Sequence, residues 1–371
     1  MSSVTAKTMP IIFSHLNIAT LMSRLLLCLC PGILVSLWFF GIGVLLNIII
    51  SVLAGLLFEA AALKLRGKNL KSNLSDYSAI VTALLFALSI PLGAPWWVIL
   101  MGMAFAIIIG KHAFGGLGQN SFNPAMSGYL FLLLSYPVLM TSWHVPLIHS
   151  LSGETISPLS LNGIVQSLSA TFAMPALITA QAADLFDGMA MATPLIEYKL
   201  ASPNAISKAL TNQTGVFNRS SATGWELINM ANLLGGLVLL KLGVIRWHIP
   251  FSILATLAAL SIGLYSSGSA AVVGSPYLHL FGGATMLGAF FIATDPVSAA
   301  TTNGGRIAYG IIIGLAIYSI RVWGSYLDAV AIAVIFANFW APLCDIMFKP
   351  TVYGHPGFFD RIKQDLGEWL K

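Results

Sequence analysis

Charge is what this chain has least of. Only 8% of its 371 residues are Asp, Glu, Lys or Arg, against roughly a quarter in an ordinary soluble domain. Cysteine is nearly as scarce: Cys28, Cys30 and Cys344 are the only three, too few to staple a chain of this length, which excludes a disulfide-built secreted module. They serve as small apolar side chains. What is present in excess is apolar: 57% of residues, with 34 glycines and a mean hydropathy of +0.86. One soluble core of this length could not hide so much hydrophobic surface. Disorder and coiled coil are excluded by the same composition. The chain reads as an all-α integral membrane protein.

A spanning helix needs about 20 mostly apolar residues. Ten such stretches occur, over 22–41, 43–63, 76–92, 95–110, 124–141, 225–245, 248–266, 277–294, 306–322 and 326–347. The third is bounded by Asp76 and Pro91, and the eighth is interrupted by Gly282, Gly283 and Gly288. Either is a candidate broken or half-length helix lining an internal site. The formal charge of +5 reports topology rather than a polyanion partner, and no nucleic acid is expected. With the N-terminus inside, every basic residue falls on the cytoplasmic side except Lys199, Lys208, Arg219 and Arg321. The expected orientation is N-in, C-in. The first long apolar run starts beyond Arg24 with no evident small-residue cleavage site, so no cleaved leader is expected.

The spans divide five and five around a hydrophilic excursion from 142 to 224. If the halves are duplicated units, an odd helix count forces the second copy to be inverted. The expected organisation is a membrane half over 1–141, a periplasmic segment over 142–224, a second membrane half over 225–347 and a cytoplasmic tail over 348–371.

Three stretches could carry chemistry. The first runs from Gly110 to Ala125, GKHAFGGLGQNSFNPA, on the inner side between spans four and five. Its glycines let backbone N–H groups approach a ligand, and Asn120 and Asn123 offer amide donors and acceptors that suit a ring with polar edges. The plainer reading is a tight turn with Asn capping the next helix and Pro124 at its first position. It is no Walker loop, because Lys111 precedes His112 rather than Ser or Thr. The second, DLFDGMAMATPL from Asp184 to Leu195, lies in the excursion. Thr193 and Pro194 could begin a helix, and the same geometry would present a hydroxyl where a phosphate is favoured. The third, FGGATMLG from Phe281 followed by ATDPVS from Ala293, places Asp295 at the inner end of an apolar span. Glu59 is set more deeply, in span two. Both are candidate ion-path carboxylates, with helix capping as the alternative for Asp295. Asp76, Asp328 and Asp345 lie nearer the interfaces, where a structural reading is simpler. His112, His248 and His279 show no metal-ligand spacing, so no metal or iron–sulfur centre is expected. Trp96, Trp97, Trp143, Trp225, Trp247 and Trp340 sit near span ends, as an aromatic belt requires.

The ten-span layout and these three stretches, in this order, resemble the RnfD family, a membrane component of the bacterial Rnf ion-translocating electron-transport complex. More distantly they resemble the NqrB component of the sodium-translocating NADH:quinone oxidoreductase, which has a longer N-terminal extension. The resemblance covers essentially the whole chain. It implies a flavin-carrying membrane subunit of a redox-driven complex that couples electron exchange between ferredoxin and NADH to Na+ or H+ transport in the bacterial inner membrane. The partners implied are the other subunits of such a complex, a flavin transferase for maturation, and membrane lipid. It also implies FMN joined through its phosphate to the hydroxyl of Thr193, with Asp187, Gly188, Ala190 and Ala192 filling the transferase's recognition pattern. Ala190 and Met191 depart from the Ser and Gly of the quinone-reducing branch. A second, non-covalent flavin, riboflavin, is implied near Asn120 and Asn123. The competing class is a secondary transporter or channel for a small solute, which has no need of the Thr193 motif.

Overall fold

The computed structural model describes residues 17–92, 94–141, 143, 168, 171–172, 219–265, 275–324 and 329–349. Thr193, Asp187, Gly188, Ala190, Met191 and Ala192 lie outside the described residues, as do Asp328 and most of the tail. Among the described residues the regular structure is helical: α1 (Ile18–Phe40), α2 (Gly43–Leu65), α3 (Leu70–Leu74), α4 (Ser78–Ser89), α5 (Trp96–Ala104), α6 (Pro124–Ser135), α7 (Pro137–Thr141), α8 (Arg219–Lys241), α9 (His248–Leu264), α10 (Pro276–Phe281), α11 (Thr285–Leu287), α12 (Asn303–Val322) and α13 (Ala329–Met347). Helix α5 continues as a π-helix over Phe105–His112, and α11 over Gly288–Ile292.

Among the described residues four helices, α1, α2, α12 and α13, are long and apolar enough to cross a membrane. Helix α2 shows why that environment suits them. Leu45, Ile49, Leu53 and Leu57 recur every fourth residue and are exposed, whereas Asn47, Ser51 and Glu59, on the opposite face, are buried. Apolar side chains outward and polar ones inward is the reverse of a water-soluble helix. Trp96 and Trp247 are exposed at helix starts, in keeping with a belt, whereas Trp340 is exposed within α13, about two turns from its end. Trp143 and Trp225 are not: they turn inward and pack edge-to-face, 5.2–5.3 Å between centroids, with each other and with Phe40.

The helix starts follow local signals. Asn123 accepts from Met126 N–H at 3.2 Å with Pro124 at the first helical position of α6. Ser275 with Pro276, and Thr302, begin α10 and α12 in the same manner. Two breaks are informative. The expected eighth span is interrupted between Phe281 and Thr285, where the glycines predict it. The expected fifth span, read as continuous over 124–141, instead ends at Ser135, because Pro137 lacks an N–H and its ring opposes a continuing helix.

In the first half α2 packs on α4 and α5, and α5 with its π-helical extension packs on α6. In the second, α9 packs on α10 and α12, and α12 packs on α13. The halves meet where α1 lies against α8 and α6 against α13. Close approach at the first seam depends on small residues. A Cβ on Gly235 would strike the carbonyl oxygen of Cys28, and one on Gly32 would strike Asn232.

Candidate functional site

Two cavities, each walled mainly by apolar side chains with a few polar groups set among them, lie between the halves. The first, about 50 Å³, is lined by Ser78, Thr82, Lys111, Asn120, Asn123 and Asp295 among apolar walls that include Met22, Leu117 and Phe291. It brings together three of the sequence-expected residues, Asn120, Asn123 and Asp295, with Glu59 just behind Lys111.

Lys111 is the centre of this arrangement. It is 2% exposed, near the end of the π-helical turn, where Ala113 N–H bonds to Ile108 O and Gly116 N–H to Lys111 O. That five-residue spacing turns the end of the helix to a register an α-helix would not give. The Lys111 ammonium donates to Glu59 Oε1 at 2.8 Å and to Ser78 Oγ at 2.8 Å. Ser78 in turn donates through both N–H and Oγ to Asp76 Oδ1, at 2.8 and 2.6 Å. Tyr77, between them, holds a left-handed φ of 60°. For a non-glycine residue that conformation is costly and often marks a functional constraint. His112 Nε2 lies 3.2 Å from Glu59 Oε1. Its Nδ1 lies 3.2 Å from Arg66 Nη1, and because a guanidinium only donates, Nδ1 is the acceptor. Glu59 Oε2 is buried without a hydrogen-bond partner.

The two asparagines are not equivalent. Asn123 is committed: its Oδ1 caps α6 while its Nδ2 donates to Ile292 O at 3.1 Å. Asn120 donates to Phe122 O at 3.0 Å, and its Oδ1 is buried without a partner. Gly115, Gly116 and Gly118 have φ of 125°, 99° and 87°, so this loop needs glycine for its turns as well as for any ligand. Asp295 Oδ2 accepts from Ser298 Oγ at 2.7 Å, a local cap, yet the residue also faces the cavity. Asp345 is structural: it accepts from the N–H and hydroxyl of both Thr301 and Thr302 at 2.8–2.9 Å and so anchors the start of α12.

The second cavity, about 100 Å³, is lined by Phe40, Tyr129, Trp143, Trp225, Asn229, Asn232 and Arg321 among others. Asn229 substitutes for the helix bonds missing at the α10–α11 break. Its Nδ2 donates to Phe281 O and Gly283 O, and its Oδ1 accepts from Met286 N–H. Arg321 donates to His279 O at 2.6 Å and Thr285 Oγ1 at 2.9 Å, closing the same break from α12. Asn232 Oδ1 is buried without a partner. The walls of this cavity are mainly aliphatic and aromatic side chains, with the amides of Asn229 and Asn232 and the Arg321 guanidinium as polar points.

Sequence reasoning does not single out Lys111, Asn229, Asn232 or Arg321. For Lys111 the available signal is a cation set directly after the apolar run Ala106–Gly110. For the asparagines it is two amides three residues apart within the otherwise apolar stretch Leu227–Leu240. Among the described residues no His, Cys, Asp or Glu group is arranged to hold a metal ion.

The sequence profile of the NQR2, RnfD, RnfE family matches residues 5–354. The chain belongs to that family. A relative from Vibrio cholerae serotype O1, named as the D component of an ion-translocating oxidoreductase complex, is 46% identical over 350 residues, which cover 93% of this chain and 98% of the relative. A relative of the same name from Shewanella frigidimarina is 45% identical over 351 residues, 93% of this chain and 97% of its own length.

Proposed function

We propose that this chain is the flavin-carrying membrane subunit of a redox-driven, ion-translocating oxidoreductase complex, and that it acts as part of that complex rather than alone. The observation that carries the reading is the near full-length likeness to relatives named as the D component of such a complex. The coupled processes are electron exchange between ferredoxin and NADH and the movement of Na+ or H+. Ten spans in two inverted five-helix repeats, in the bacterial inner membrane with both termini inside, are the architecture proposed. The recurrence of the helix pairings in the two halves supports it.

Thr193 is the proposed attachment point for FMN, with Asp187, Gly188 and Ala192 read by a maturing transferase. A flavin supplies one-electron redox chemistry, and the protein supplies position and surroundings. Trp143, at the start of the 142–224 segment, and Trp225, just past its end, both line the Asn229 cavity, which makes that cavity the proposed place for a ring tethered to the segment, entered only if its walls move apart, since about 100 Å³ holds several waters and no more. The Lys111 cavity is the proposed place for a non-covalent riboflavin, held by Asn120, whose Oδ1 is open to a ring N–H. At about 50 Å³ the space is worth a few waters, so a tricyclic ring enters only if the glycine loop around Leu117 moves aside.

The test is purification of the complex after co-expression with a flavin transferase, followed by flavin fluorescence of the denatured chain and redox-driven cation uptake in vesicles. Both are expected. A chain without flavin that still transports a solute would favour the transporter or channel reading.

A further inference from the structure

Glu59 and Lys111 form a buried ion pair beside a cavity that holds a second set of acceptors for the same ammonium. On one side are Glu59 Oε1 and Ser78 Oγ, each 2.8 Å from Lys111 Nζ. On the other, lining the cavity that Lys111 also lines, are the unpartnered Oδ1 of Asn120 and the carboxylate of Asp295. We propose that Lys111 is a displaceable internal cation: a transported monovalent cation takes its place at Glu59 while the Lys111 ammonium moves to the Asn120–Asp295 side of the cavity. The inference rests on the ion-translocating reading above and names the device within it.

Three physical points support the exchange. A buried carboxylate binds a cation only where its charge is not already neutralised, so the lysine and the ion compete for one position. Glu59 offers more than the lysine uses, since Oε2 is buried and unpartnered, and hard monovalent cations and protons alike favour such oxygens. Lysine is suited to the exchange because its compact charge rides on a flexible four-carbon stem, and here two of its three N–H groups are engaged. The other charged and titratable groups around the pair are His112 against Glu59 Oε1, Arg66 behind His112, Asp76 behind Ser78, and Asp295 across the cavity. Ser51 and Asn47 lie two and three turns further along the buried face of α2, each with a buried, unpartnered oxygen. They continue the polar face beyond Glu59.

The experiment uses the assembled complex in sealed vesicles, with cation uptake per electron measured against sodium at fixed pH and, separately, against pH without sodium. In Lys111→Met the competitor is gone, so half-saturating sodium falls at least about fivefold, at the lower end of ordinary coupling between two ligands, and uptake per electron drops because release is no longer driven by the returning ammonium. If the proton is the ion, the same shift appears in the pH arm alone. Lys111→Arg keeps the charge and restores much of the wild-type dependence. Should Lys111→Met fail to assemble, the charge-free pair Glu59→Gln with Lys111→Met replaces it. It loses uptake on this proposal and keeps it if the pair is merely structural. Unchanged cation dependence in both arms for an assembled Lys111→Met complex, or normal uptake in the double variant, overturns the proposal while leaving the translocating reading intact. Absence of redox-driven uptake in the wild type overturns both.

Discussion

Asn123 Nδ2 donates to the backbone oxygen of Ile292 across 169 positions, so the glycine-rich loop of the first half is tied to the π-helical turn of the second. The same side chain caps α6. It therefore joins the two halves at the wall of the Lys111 cavity.

Asn120 and Asn123 should separate under mutation. Asn123→Leu removes the cap, at about 1 kcal/mol, and leaves a buried carbonyl unpaired, at about 1–3 kcal/mol. Its main effect is a lower melting temperature of the complex. Asn120→Leu breaks one local bond and should leave stability close to wild type while lowering extractable non-covalent flavin. Equal flavin content in Asn120→Leu and wild type would remove Asn120 from any flavin site.

The Lys111–Glu59 pair should behave as a buried ion pair in a stability cycle. Removing either partner alone strands a charge and costs about 3–5 kcal/mol, whereas removing both costs much less. Denaturation of the single variants Glu59→Gln and Lys111→Met and of the double variant measures the difference. Additive losses would mean that the two side chains do not depend on each other.

Asn229 is expected to be the keystone of the broken helix. Asn229→Leu leaves the carbonyls of Phe281 and Gly283 and the Met286 N–H without their partner, at about 1–3 kcal/mol for each buried group. The loss should show as faster hydrogen exchange over 278–288, with α2 and α4 unaffected. Protection identical to wild type there would show that water serves equally well.

Thr193→Ala should abolish covalent flavin, because only a hydroxyl can form the phosphoester. Thr193→Ser keeps the oxygen and should retain part of the label. If a transferase reads the motif as proposed, Asp187→Ala should lose the label with the acceptor intact. In-gel flavin fluorescence with peptide mass mapping decides, and a label on another peptide of the wild type would refute the assignment.

Most of the helical architecture is legible in the chain itself. Apolar runs of spanning length, Asn123–Pro124 and Ser275–Pro276 as helix starts, and the glycines that break the eighth span all act within a few residues of their own position. Their effect therefore needs no knowledge of the partner helices. The two cavities are different. That Lys111 faces Glu59 and not the interface depends on a π-helical register and on α2 meeting that turn, 52 positions away. That Trp143 and Trp225 wall a cavity instead of anchoring in a belt depends on α8 lying along α1. That Asn123 is spent on Ile292 while Asn120 keeps an open oxygen depends on the second half closing over the first. A single-residue change of register redirects a helical side chain by about 100°, so which buried polar groups meet was settled only when the helices packed.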